Sequence, residues 1–197
     1  DKYTTLIMVS GSYNQLGKDE IKKIKKWVEK GNTLITIARG SSWAINNELI
    51  GENLVESKED STHSRKNYVD ASGFIGRERI GGVILRADID LTHPIAFGYN
   101  DSSIPVYKNN NVFINKTKDD YSSVAVYSDD FHIDGYISES NRKDYIPGSA
   151  SLIISKIGSG RVVVFADNPN FRGTWYGTNK LFLNAIFLGN NISVPTN

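Results

Sequence analysis

Two polar clusters stand where chemistry would be done. Val162 to Phe165 are four β-forming apolar residues in a row, the pattern of a strand buried on both faces. Asp167, Asn168, Pro169 and Asn170 follow it, with Arg172, Trp175 and Tyr176 close behind. Thr33 to Ala38 reads as a second strand, and Arg39, Gly40, Ser41, Ser42 and Trp43 come after it. In open α/β sheets, ligands bind at the loops beyond the carboxyl ends of strands, so both clusters lie in the right place. Their chemistry is mild. Amides and one carboxylate orient a ligand well, yet neither cluster supplies a strong base or nucleophile.

A serine nucleophile needs a base within hydrogen-bond reach and a sharp turn flanked by glycines. Neither Ser41 nor Ser42 has glycine on both sides at that spacing. Three histidines are available. His93 precedes Pro94 in a turn and is expected to hold local backbone. His63 lies among polar residues, and His132 follows Asp129, Asp130 and Phe131. None has Glu at its third following position, so no His-x-x-Glu zinc pair is present. Asp88, Asp90, Asp129, Asp130 and Asp134 lack the regular spacing of calcium loops. Gly158, Ser159 and Gly160 open a strand rather than a helix, which makes them a hairpin turn and not a phosphate cradle.

The chain has 197 residues, 39% of them apolar, enough for one substantial core, and one domain over 1–197 is expected. Basic and acidic residues number 23 and 22 and are interspersed, which argues against a nucleic-acid or anionic-membrane footprint. The lysines at 22, 23, 25 and 26 alternate with apolar residues at helical spacing and read as a solvated face. Cysteine is absent, which excludes thiol nucleophiles and disulfides but leaves the compartment open. No segment is apolar enough to span a bilayer, and no signal peptide is visible. The chain opens at Asp1 without Met, as an excised or processed piece would.

The positioning elements follow from periodicity. Leu6 to Val9 is a strand; Ile21, Ile24, Trp27 and Val28 form one stripe of a helix over 18–30; Thr33 to Ala38 returns as a strand. Strand, helix, strand with short links is a crossover whose strands should be parallel. A short helix is predicted over Trp43–Ile50, then a long irregular insertion over about 51–79. Extended structure restarts at 80–88. Short strands are predicted near 105–107, 112–114, 123–127 and 135–137, with a turn and short helix over 91–98. Residues 150–157 and 161–166 make a hairpin, and Thr178–Leu188 a helix apolar almost all round.

With these residues in hand, the chain resembles the class I glutamine-amidotransferase-like domain, specifically the version at the C-terminal end of bacterial secreted zinc carboxypeptidases of the carboxypeptidase A type. The resemblance rests on four stretches: 5–13, 31–43, Thr92–Gly98 and Gly160–Gly189, with Phe165–Gly173 the most specific. It implies a flavodoxin-like, three-layer α/β fold. The central sheet would be mostly parallel with helices on both faces, and would carry an antiparallel hairpin and the irregular insertion. Family members begin with a strand, a helix and a strand that have no counterpart here, which would leave an apolar edge at Leu6–Val9 needing cover.

The family's Cys nucleophile follows the strand matching Thr33–Ala38, and its His base stands in a His-Pro-Glu segment. At those places the chain reads Arg39-Gly40-Ser41 and Asn168-Pro169-Asn170. Asn cannot take a proton near neutral pH. The resemblance therefore implies a non-catalytic accessory domain, secreted or periplasmic, whose partner is its own peptidase domain and whose zinc lies only in that domain. The residues themselves leave two readings of the rim open. Arg39, Trp43, Asp167, Asn168, Asn170, Arg172, Trp175 and Tyr176 could converge to grip peptide or glycan. Alternatively, the Asn side chains cap backbone, the aromatics plug the sheet end and Arg172 pairs with Asp167. A Ser-dependent hydrolase or transferase, and a carbohydrate-binding or oligomerisation module, the latter acting through the uncovered edge, are the remaining alternatives.

Overall fold

The computed structural model describes residues 2–56, 67–119 and 121–193. It opens with the expected crossover: β1 (Thr5–Met8), α1 (Lys18–Glu29) and β2 (Thr33–Ile37), with β1 and β2 parallel. Glu20 reaches back to accept from the Gly17 N–H at 3.1 Å, and Asp19 joins it in the first turn, where the helix dipole favours negative charge. Gly31, at φ 111°, lets the chain leave α1 and enter β2.

Eight strands form one sheet in the order β1-β2-β8-β7-β6-β3-β4, with β5 paired to β7. Here β3 is Val83–Ile89, β4 Ser103–Lys108, β5 Ile114–Asn115, β6 Ser123–Gly135, β7 Ser149–Ile157 and β8 Gly160–Phe165. Six of the eight strands run in one sense, but only the β1–β2 and β2–β8 ladders are parallel. The β7–β8 hairpin reverses the chain within two residues, and every ladder beyond it is antiparallel.

Alternation along the central strands builds the layers. Leu34, Val162 and Val164 join Val28 of α1 and Ala44 and Ile45 of α2 (Arg39–Asn46) on one face. Ile35, Ile37, Val163 and Phe165 join Leu181 and Ala185 of α4 (Tyr176–Leu188) on the other. Each of the Leu, Ile, Val and Phe side chains among them contributes about 1.5–3 kcal/mol by leaving water, which explains why these strands sit at the centre.

Three expectations are corrected. The helix predicted over Trp43–Ile50 begins four residues earlier, because Gly40 lets its first turn approach β1 so closely that a Cβ there would lie 2.7 Å from the Met8 carbonyl oxygen. The stretch over 51–79 is not irregular throughout: a 3-10 turn at Tyr68–Asp70 leads into α3 (Ala71–Glu78). That helix buries no residue, so it leaves no apolar period to detect. The segments 123–127 and 135–137 are not two strands; β6 runs unbroken from Ser123 to Gly135, carried past Asp129 and Asp130 by shifts of register against β3.

The turn at His93 ties α4 to β3. The His93 Nδ1 accepts from the Ile95 N–H at 3.2 Å, and Asn184 of α4 donates to the Ile95 and Phe97 carbonyls. Burial holds the His93 imidazole below its ordinary pKa, opposed by the Asp90 carboxylate. The unfolded chain thus binds a proton at higher pH than the folded one, and His93 should cost stability as pH falls below about 6.5. His93→Asn keeps an acceptor without the titration. Urea midpoints measured from pH 7.5 to 5 should decline less steeply in that variant.

Candidate functional site

The carboxyl ends of β2 and β8 stand side by side, since Ile37 pairs with Phe165 and the Ala38 N–H donates to the Phe165 carbonyl at 2.9 Å. Ala38 takes φ 49° and ψ −111° between β2 and α2. A non-glycine residue at positive φ on a strand-to-helix turn is strained by about 1–3 kcal/mol, and this is the geometry that lifts a nucleophile above a sheet. Ser41 and Ser42 N–H groups close on the Ala38 carbonyl, and Gly40 permits the tight approach to β1.

The turn's apex is therefore Ala38, and not the Arg39–Ser41 stretch that the sequence pattern suggests. Its side chain is a methyl group, 3% exposed. The signal for it lies in the spacing: a strand end, one residue, then Gly40, which is the trailing half of the nucleophile-turn pattern.

Ser41 is fully buried and donates to the Phe165 carbonyl at 2.7 Å. Its single hydrogen being used, it accepts from the Thr36 hydroxyl at 3.0 Å. No histidine is among these partners. His93 lies in its own turn, His132 Nε2 contacts the Gly135 carbonyl at 2.7 Å, and His63 lies outside the described residues. Ser41 thus ties β2, α2 and β8 together. Arg39 is exposed, while Ser42 and Trp43 are half-buried, Trp43 with its ring 5.7 Å from that of Tyr13.

On the β8 side, the Asn168 Oδ1 accepts from the Asn170 N–H at 3.0 Å, and the Thr178 hydroxyl donates to the Pro169 carbonyl at 2.9 Å. The loop is held by bonds between side chains and its backbone, one from within and one from α4. Asp167 does not face the rim, nor does it pair with Arg172. It is buried, with its carboxylate 3.0 Å from the ammonium of Lys108, itself fully buried at the end of β4. The Tyr127 hydroxyl makes a short hydrogen bond to the same carboxylate, and Ser151 donates at 3.4 Å. Lys108 also donates to the Val112 carbonyl at 2.7 Å and sits 4.7 Å from the Phe113 ring centre. Burial pulls the Lys108 ammonium below its usual pKa while Asp167 pushes back. The Tyr127 phenol is driven well up by burial first and by the Asp167 charge second.

Lys108 and Tyr127 are not among the residues that the sequence singles out. A signal was available, because Ile104, Val106 and Lys108 share the inward parity of β4, an unusual place for a lone lysine.

The aromatic residues do not converge on one rim. Trp43 packs with Tyr13 beside β1, whereas Trp175 donates to the Pro105 carbonyl at 3.2 Å and packs on Tyr107, at the opposite sheet edge. Phe171 lies on Tyr107 with ring centres 4.2 Å apart, and the guanidinium of Arg172, a residue at φ 53°, lies over Phe171. Tyr176 is exposed. Among the described residues no group of three or more His, Asp or Glu is placed to hold a metal, and no helix is long and apolar enough to cross a membrane.

No protein-family model matches the chain, and no curated protein matches it. Solved structures do. A GMP synthase component from Thermoplasma acidophilum superposes with a TM-score of 0.55 at 16% identity, over 97% of this chain and 75% of its own. PurLQS from Thermotoga maritima gives 0.52 at 15% identity, over 93% of this chain and 79% of that one. The chain has the class I glutamine-amidotransferase fold. A ThuA-like protein from Parabacteroides merdae shares this amidotransferase-like fold, with a TM-score of 0.56 at 11% identity over 99% of this chain and 73% of its own. Within this fold the turn at Ala38 and the loop at 167–170 occupy the sheet end where α/β folds keep their sites.

Proposed function

We propose that residues 1–197 form a non-catalytic amidotransferase-like module that serves as a scaffold or substrate-engaging accessory domain of a secreted bacterial zinc carboxypeptidase. One observation carries the non-catalytic half: the apex of the nucleophile turn, Ala38, bears a buried methyl. Its neighbours cannot substitute. Ser41 spends its hydrogen on the Phe165 carbonyl, and Asn168 is engaged with the Asn170 N–H. Among the described residues no general base stands in these contacts, and that leaves acyl transfer or glutamine hydrolysis at this turn without a proton acceptor from them.

The peptidase half is supported by the resemblance of Thr92–Gly98 and Gly160–Gly189 to the C-terminal domains of such enzymes. Its partner would be the peptidase domain, with peptide or glycan as a further ligand, and its zinc would belong to that domain. A secreted or periplasmic setting goes with the same resemblance.

Two measurements test the reading. The purified chain is expected to release no ammonia from glutamine, and neither is Ala38→Cys, which introduces the molecule's single thiol without a base beside it. Turnover by the unaltered chain would overturn the non-catalytic reading. Peptidase assays on the complete gene product, with and without this segment, test the accessory role. Lower folding yield or slower cleavage of long peptides is expected on deletion, and unchanged folding and turnover would remove it.

A further inference from the structure

The end of the sheet away from the Ala38 turn holds a cavity of its own. β7 runs against β8, so Ser155, Lys156 and Ile157 lie beside Val162, Arg161 and Gly160, far along the strand from Phe165. α2 also finishes there, and Glu48, at φ 55°, turns the chain out of it into Leu49 and Ile50. With Lys25 of α1 and Glu52, these segments enclose about 590 Å³, a volume in the range of small-molecule sites. Its floor is aliphatic, made by Ile45, Leu49, Ile50 and Ile157.

One wall group is under-bonded. The Ser155 hydroxyl donates to the Glu52 Oε1 at 2.6 Å, but the second oxygen, Oε2, is buried and receives no hydrogen bond from the described residues. A carboxylate has room for several donors, and a buried polar atom with none calls for an explanation. Two ammonium groups line the same cavity without answering it. Lys25 donates to the Glu48 carbonyl at 3.4 Å, and Lys156 is exposed and pairs with no carboxylate of the described residues. Asp119, also in the lining, differs from Glu52, because its carboxylate accepts from the Tyr121 N–H at 3.0 Å and from the Ser122 hydroxyl at 3.3 Å. The cavity thus carries one oriented carboxylate short of a donor, two ammonium groups short of a carboxylate, and an apolar floor.

We propose that this cavity binds a free α-amino acid with an aliphatic side chain. The ligand's ammonium would supply the donor that Glu52 lacks, its carboxylate would meet Lys25 and Lys156, and its side chain would lie on the aliphatic floor. A plain cation would leave both lysines unpaired, and a plain anion would leave Glu52 as it is, so a zwitterion complements the lining best. The cavity lies at the other end of the sheet from Ala38, and the proposal stands whether or not the module is catalytic.

The test uses the full 197-residue chain and three probes: leucine, N-acetylleucine, which lacks the ammonium, and 3-methylbutylamine, which lacks the carboxylate. Leucine should shift the amide resonances of Ser155 and Ile157 saturably, with half-saturation at about 1 mM, and leave those of Ala38 and Phe165 unmoved. Each of the other two probes should bind roughly tenfold more weakly, having lost one charge-assisted contact. Glu52→Gln keeps the volume and an acceptor for Ser155 but removes the charge. It should weaken leucine roughly tenfold and leave the melting temperature of the free chain unchanged or higher, because a buried charge without a partner is gone. Should that variant misfold, K25A/K156A provides the second arm and should bring leucine down to the level of 3-methylbutylamine. No saturable shift with leucine, equal binding of either truncated probe, or undiminished binding by both variants would overturn the proposal.

Discussion

Lys108→Ala is expected to destabilise the fold by about 3–5 kcal/mol, the usual consequence of removing one partner from a buried ion pair. Lys108 and Asp167 have side chains 0% and 4% exposed, so neither can turn to water when the other is lost. In the variant the Asp167 carboxylate keeps only Tyr127, Ser151 and a long contact to Asn110, and the Val112 carbonyl loses its donor. Lys108→Met separates charge from volume: it fills the space, leaves Asp167 uncompensated, and should retain most of the loss. Lys108→Met combined with Asp167→Asn removes both charges and should recover much of it. Equilibrium urea denaturation followed by circular dichroism measures all three. A Lys108→Met variant within about 1 kcal/mol of the parent would mean the pair is not what holds β4 to the end of β8.

Gly160→Ala should be comparably damaging for a steric reason. A Cβ at Gly160 would fall inside the van der Waals envelope of the Val28 carbonyl oxygen, 2.5 Å from the Asn32 carbonyl oxygen and 2.7 Å from the Val28 carbonyl carbon. All three are backbone atoms, so no rotamer change relieves the clash. β8 lies between β2 and β7, and it cannot retreat without breaking two ladders. Overpacking typically costs about 1–3 kcal/mol, and a clash with fixed backbone belongs at about 3 kcal/mol or above. Gly73→Ala is the matched control. It sits in α3 with nothing within 4 Å of the new methyl, and should be neutral or stabilising by about 0.5–1 kcal/mol. Thermal melts of the pair should differ by roughly 6–16 °C in midpoint.

Much of the scaffold was legible because its residues carry strong local periods. The stripe Ile21, Ile24, Trp27 and Val28 announced α1, and the run from Val162 to Phe165 announced a strand covered on both faces. Gly158 to Gly160 announced the hairpin between β7 and β8. What escaped lacks such a period. The first turn of α2 is Arg-Gly-Ser-Ser, whose reason for being helical is its contact with β1, a strand distant in sequence. α3 buries nothing, so it has no apolar face to reveal it. The site was half legible. The two sheet-end loops could be placed, but the positive φ that makes Ala38 the apex depends on three-dimensional closure. The Lys108–Asp167–Tyr127 cluster joins β4 and β6 to the loop after β8 and could be suspected only from the inward parity of a lysine.

The insertion of β8 between β2 and β7 also sets a schedule for synthesis. Ser41 and Phe165 are hydrogen-bonded yet 124 positions apart. A ribosome adding about 5–20 residues per second needs roughly 6–25 s to deliver the second partner after the first. During that interval Leu34 to Ile37 has no neighbour on its β8 side, and the nascent crossover emerges with a bare hydrophobic ribbon. Completion of the fold therefore waits on the synthesis of β8, and this polypeptide has reason to be met on its way out by a chaperone that shields extended apolar chain.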